Sequence, residues 1–201
     1  TIQNGNAADD MSHYYRGGGV YVNSMTQETS AKLENLLIKN NSASQGGGVC
    51  LNVSGQLVIR SCSIINNVGI GVLLSGVNSI IHNTVIDNNS GVGVRILSTS
   101  LDMKGCIVSN NEAAPGANGG GFYIENVIGE DLVEIKTTII ENNTSTTGHG
   151  GGIYNTNAVT NLILSTVQNN SANNDYGGGI YAVGGGQGEM RIIESNIRGN
   201  T

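Results

Sequence analysis

Asp9, Asp10, His13 and Arg16 form the densest grouping of ionisable side chains in the sequence. Such groups cleave polysaccharides in two ways: paired Asp/Glu across a glycosidic bond for hydrolysis, or Asp-bound calcium with a Lys or Arg base for elimination. Asp175 and His149 fall on the same edge of the chain by the repeat described below, but Asp175 lies some six turns from Asp9, roughly 29 Å at the spacing of paired strands. The turns between present Ser90, Glu112 and small residues. Asp9 and Asp10 therefore read as solvated loop carboxylates, and no residue is assigned a catalytic role.

Metal and redox chemistry find no better support. The run GGGQGE at 184–189 is similar to a calcium-binding GGxGxD nonapeptide, but it occurs once, with Glu in place of Asp, and calcium rolls need stacked copies. His82 has no second ligand at metal spacing. Cys50, Cys62 and Cys106 are odd in number and lack CxxC spacing, so they indicate neither a zinc site nor a disulfide framework. No metal and no cofactor is expected. Of six N-x-S/T sequons, those at Asn40, Asn88, Asn142, Asn143 and Asn169 arise from recurring Asn-Asn-Ser/Thr corners, which leaves Asn52 as the independent glycosylation candidate.

Composition narrows the classes further. The 201 residues include 31 Gly, one Pro, one Phe and no Trp, and only 12% are charged, unlike a disordered chain. A net charge of -6 with nine scattered basic residues forms no basic stripe for nucleic acid. No apolar run approaches the roughly 20 residues of a membrane-spanning helix.

What must position any site is a repeat. Asn-Asn recurs at 40–41, 66–67, 88–89, 110–111, 142–143 and 169–170, with degenerate forms Asn4-Gly5 and Gly199-Asn200 at the ends. From Asn41 to Asn200 the second Asn advances by 26, 22, 22, 32, 27 and 30 residues. Three positions before it stand Ile2, Ile38, Ile64, Ile86, Val108, Ile140, Val167 and Ile197. Eight before stand Leu33, Ile59, Ile81, Met103, Ile135, Leu162 and Ile192. Five before, the column is Leu36, Cys62, Thr84, Cys106, Thr138, Ser165 and Ser195, so Cys62 and Cys106 sit two turns apart, too far for a disulfide. Glycine clusters at 17–19, 46–48, 119–121, 150–152 and 177–179, with GIG at Gly69 and GVG at Gly91, precede an apolar column of Val20, Val49, Val72, Val94, Phe122, Ile153 and Ile180.

Three short strands per turn, equivalent residues in register and loops of variable length specify an all-β fold, a parallel β-helix of about seven turns filling residues 1–201 as one domain. Glycine and Asn suit bends at positive φ, and stacked Asn amides satisfy one another. Alternation points Val94, Met103 and Val108 inward, and Tyr21, Cys50, Leu73, Arg95, Tyr123, Tyr154 and Tyr181 outward. Cys50 is thus predicted exposed.

The GGG-Φ-Y strands and IxxN closings, such as Ile38 to Asn41 and Ile140 to Asn143, resemble the GGA[ILV] and FxxN repeats of chlamydial polymorphic outer membrane proteins and related bacterial surface proteins. Gly replaces the Ala after Gly-Gly here, and Ile or Val replaces the Phe. The resemblance implies a right-handed β-helix, an extracellular or cell-surface location, and often adhesion.

Tyr123, Tyr154 and Tyr181, on successive turns, either stack as a ladder that simply stabilises the sheet or form a contact face; they are the surface-binding candidates, for carbohydrate or a cell-surface protein. The reading is a structural or adhesive surface module, with a polysaccharide lyase or glycosidase as the alternative. Both termini fall inside repeats, so end-to-end self-association, or membership of a longer solenoid, is expected.

Overall fold

The computed structural model describes residues 1–7, 16–24, 30–43, 45–53, 55–76, 78–173, 175–184 and 188–201. Asp9, Asp10 and His13 lie outside the described residues. The chain winds through three long parallel sheets. One begins at Ile2–Gln3 and runs through eight strands to Asn196–Arg198; the other two have seven strands each. Every pairing is parallel and in the register of the repeat. Ile86 pairs with Ile64 and Val108, Met103 with Ile81 and Ile135, and Val94 with Val72 and Phe122.

The inward columns fuse into one core that runs the length of the solenoid. Val94, Met103 and Val108 are fully buried, and each buried aliphatic side chain contributes about 1.5–3 kcal/mol. A single turn has no second layer to bury its face against, so the core exists only because turns stack. Polar exceptions are satisfied. Asn155, in the inward column after the glycines, donates from Nδ2 to the Ala158 carbonyl and accepts from Thr160 Oγ1 at 2.8 Å.

The two residues of each Asn-Asn pair divide the work. The first takes the left-handed conformation that makes the corner, with φ of 54°, 55°, 51°, 52°, 55° and 54° at Asn40, Asn66, Asn88, Asn110, Asn142 and Asn169. The second is buried and forms the ladder. Asn111 Oδ1 accepts from the backbone N and the Nδ2 of Asn89, while Asn111 Nδ2 donates to the Ile86 carbonyl and to Asn143 Oδ1. The same pattern joins residues 41, 67, 89, 111, 143, 170 and 200. The last glycine of each cluster is required by this ladder: a Cβ on Gly93 would lie 2.8 Å from Asn111 Nδ2 and 2.8 Å from the Gly121 carbonyl oxygen.

A second ladder explains the column of small side chains. The backbone N–H groups of Cys62, Cys106, Thr138 and Ser165 donate to the side-chain hydroxyl one turn on, those of Thr84, Thr138, Ser165 and Ser195. A fourth, three-stranded sheet that the periodicity did not show joins Glu112–Ala113, Thr144–Ser145 and Ser171–Ala172, just after the asparagine corners.

One expectation is overturned. Cys50 does face out of its sheet, yet it is fully buried. The preceding chain turns at Gly46 (φ 66°) and folds back across the outward side chain, so close that a Cβ there would lie 2.5 Å from Cys50 Cβ. Ile70, Leu73, Val92 and Ala113 complete this second apolar cluster on the outer face. Burial pushes the Cys50 and Cys106 thiols up to about 11 and also raises Cys62. Native protein at pH 8 is expected to react with a disulfide reagent such as Ellman's only on unfolding, when all three thiols are released. Rapid native labelling of one equivalent, mapped to Cys50, would contradict this packing.

Candidate functional site

The repeat stacks outward residues as strictly as inward ones. Tyr123, Tyr154 and Tyr181 are register partners, and their rings stack with centroids 5.2 and 5.7 Å apart at interplanar angles of 22° and 10°. Arg95, the partner of Tyr123 on the preceding turn, places its Cζ 4.9 Å from the Tyr123 centroid. The ring faces are thus turned along the solenoid axis and used by one another. What the column presents to solvent is ring edges and hydroxyls.

Two residues outside the predicted set join them. His149 stacks 4.4 Å from Tyr181 and 5.5 Å from Tyr176, and its Nδ1 lies 2.7 Å from Asp175 Oδ1. Tyr176 is 70% exposed and forms the outer corner of the slab. The signal that could have found them is one more column: Arg16, Gln45, Asn118, His149 and Tyr176 each immediately precede a glycine triplet. The left-handed glycine that follows turns this residue back beside the outward residue five positions further on. Asn118 Oδ1 accepts from the His149 backbone N at 2.8 Å, and Arg16 Nε donates to Gln45 Oε1, so the column is linked from turn to turn. Tyr123 donates its hydroxyl to Glu125 Oε2 at 3.1 Å; burial, with the Glu125 charge second, pushes this phenol up to about 12, so it stays a donor.

The remaining sequence candidates fall elsewhere. Asp175 is held by His149 in the slab rather than beside a second carboxylate. Asn52 lies on the outer face near Asn23. His82 faces outward, as expected, but enters a charged cluster: its Nε2 is 3.1 Å from Asp102 Oδ2. Asp102 and Glu134 are register partners on adjacent turns, and Lys136 Nζ lies 3.3 Å from Asp102 Oδ1 and 2.7 Å from Glu134 Oε2. With Gln56, Asn78 and Ser100, Asp102 and Glu134 line a shallow groove on the outer face of the middle sheet.

Comparison with known families agrees with this architecture. Residues 1–128 match the family model of the right-handed β-helix region. The chain belongs to the right-handed β-helix family. Residues 137–156 match the Chlamydia polymorphic membrane protein repeat. That repeat contains the corner Asn142, the ladder Asn143, the glycines at 150–152, and His149 and Tyr154 of the slab. The match links this β-helix with surface- or outer-membrane-associated proteins. No curated protein and no solved structure matches the chain.

On this β-helix the groove carboxylates are arranged for charge pairing. Burial works to raise the Asp102 carboxyl, but the His82 hydrogen bond and the Lys136 ammonium outweigh it and hold Asp102 below its ordinary range; the hydrogen bond to Glu134, then contact with Asp102, holds Lys136 above its own. A glycosidic acid needs a proton at neutral pH, which this environment removes. The depressed carboxylate stabilises the fold above its unfolded value and ceases to as pH falls through its folded value. The raised ammonium stabilises below its unfolded value and ceases to as pH rises past its folded one. The cluster therefore acts between about pH 4 and about pH 10. Because Asp102 is 41% exposed, Asp102→Asn is expected to cost less than about 1 kcal/mol at pH 7 and less than that at pH 3. Chemical denaturation at the two pH values checks this. Release of reducing ends from polysaccharide by the wild type, abolished in this variant, would instead make Asp102 catalytic.

Proposed function

We propose that the protein is a cell-surface β-helix module that adheres through the edge of its tyrosine slab. The observation that carries this reading is the slab itself. Five near-parallel rings stand on one outer face, and among the described residues the Tyr154 and Tyr181 hydroxyls have no hydrogen-bond partner. Stacking rigidifies the rings and leaves their hydroxyls free, and aromatic side chains held rigid bind at low entropic cost. The polymorphic membrane protein repeat at 137–156 supports display at a surface.

A polysaccharide-acting enzyme is the second reading, favoured by the stacking of Asp102 on Glu134.

Stacking and binding separate in Tyr154→Phe, which keeps the ring and removes the hydroxyl. Beads coated with this variant are expected to be retained on cultured epithelial cells several-fold less than wild type, with thermal stability unchanged. Tyr154→Ala should lose both retention and some stability. Wild-type retention by Tyr154→Phe would show that the slab is structural only.

A further inference from the structure

Beside the slab, between Arg95 and the loop at 114–118, lies a cavity of about 240 Å3 lined by Val92, Arg95, Gly116, Ala117, Asn118 and Tyr123. Its polar groups are of one kind. Among the described residues Arg95 makes no hydrogen bond and no ion pair; its guanidinium rests against the Tyr123 ring, and its Nε is shut off from water without a partner. Asn118 commits its oxygen to the His149 backbone N, which leaves its amide hydrogens unpaired. No carboxylate lines the cavity. Glu125, close to Tyr123, is engaged by that residue's hydroxyl instead.

A half-buried guanidinium with no anionic partner is costly, because its desolvation is offset by no hydrogen bond. Lys32, Lys136 and Arg191 each pair with a carboxylate. Arg95 has no carboxylate beside it although its Nε is buried, and it is pre-positioned by the Tyr123 stack. The planar fork suits a carboxylate bound by two parallel hydrogen bonds. The Asn118 amide adds a third donor, and Val92 and Ala117 supply an apolar wall. Outward from the cavity, the free hydroxyls of Tyr154 and Tyr181 follow on the next two turns, as partners for a polyhydroxylated chain rather than for an apolar or peptide one.

We infer that this cavity binds the carboxylate of an acidic monosaccharide at the end of a surface glycan, with Arg95 and Asn118 taking the carboxylate and the tyrosine edge taking the next sugars. The inference rests on the adhesive reading and assigns its ligand class. It involves no covalent step.

The test uses the intact chain and immobilised glycans that end in a uronic or nonulosonic acid. Controls are the same glycans as methyl esters, neutral glycans, and poly-glutamate. Binding is measured by biolayer interferometry at two salt concentrations. The acids are expected to bind, more weakly at high salt, and the methyl esters at least about tenfold more weakly. Arg95→Gln should abolish the preference for acid, and Arg95→Lys should retain part of it, since charge survives but the fork does not. Asn118→Asp keeps an acceptor for the His149 N–H while adding a repelling charge, and should abolish it too. All three variants should melt with the wild type. Equal binding of acid and ester, wild-type binding by Arg95→Gln, no binding to any acidic glycan, or tighter binding to poly-glutamate would each overturn the inference. Cell retention that needs Tyr154 but ignores Arg95 would overturn it while leaving the adhesive reading intact.

Discussion

The side-chain amide of the second asparagine in each pair occupies a corner with no access to water, and each such amide must find two donors and two acceptors there. It finds three of the four in its own equivalents and the fourth in a backbone carbonyl. Oδ1 takes the backbone N–H and the amide of the preceding asparagine, and Nδ2 reaches a backbone carbonyl and the next asparagine. A chain of buried amides is therefore satisfied in full only when turns stack in register, and a slip at any turn strands several polar groups in the core. The apolar columns supply most of the burial energy, but they would tolerate a shift that the amides do not. The last glycine of each cluster follows from the same constraint, since the ladder fills the space where a Cβ would stand.

Loop length is what this constraint leaves free. Successive ladder residues are separated by 22 to 32 residues, and the extra chain leaves and rejoins the solenoid outside the ladder. The same rigidity turns the surface into linear arrays. An outward residue is held about one strand spacing from its equivalent above and below, so three tyrosines become a stack and Asp102 with Glu134 share one lysine. The surface chemistry is organised along the axis: each array pairs within itself and leaves only edges or single unpaired groups such as Arg95.

Much of this was legible before any coordinates. The columns three and eight positions before each second asparagine are the register lines of two sheets, and the tyrosine column is a true stack. Periodicity reports strand register faithfully because inward positions accept only apolar residues. It did not distinguish which asparagine is buried, since both are of one type and only the corner geometry separates them. It misjudged Cys50, because alternation tells which side of a strand a residue faces and says nothing of chain folded back over that side. Tyr176 escaped notice, and His149 was seen only as an ionisable group on the edge of Asp175, for a related reason: they precede the glycines and read as loop, although they form a column as regular as the others. Asp102 and Glu134 sit one position before Met103 and Ile135, so their pairing was available by reading the outward column of the middle strand. Asp9, Asp10 and His13 stand outside the described residues, and the slab and the groove take the place they held as the leading ionisable group.

The most direct measurement is equilibrium urea denaturation of two neighbouring variants, Asn111→Ala and Asn110→Gly. Asn111 is fully buried in the ladder, whereas Asn110 is exposed and supplies a left-handed bend that glycine adopts without strain. Removing the Asn111 amide leaves the Asn89 donors and the Ile86 carbonyl without their partner and Asn143 Oδ1 with the Asn111 backbone N–H alone, so the loss should be about 4 kcal/mol, while Asn110→Gly should stay within about 0.5 kcal/mol of wild type. Equal, small effects at the two positions would contradict the claim that the amide ladder sets the register of the solenoid.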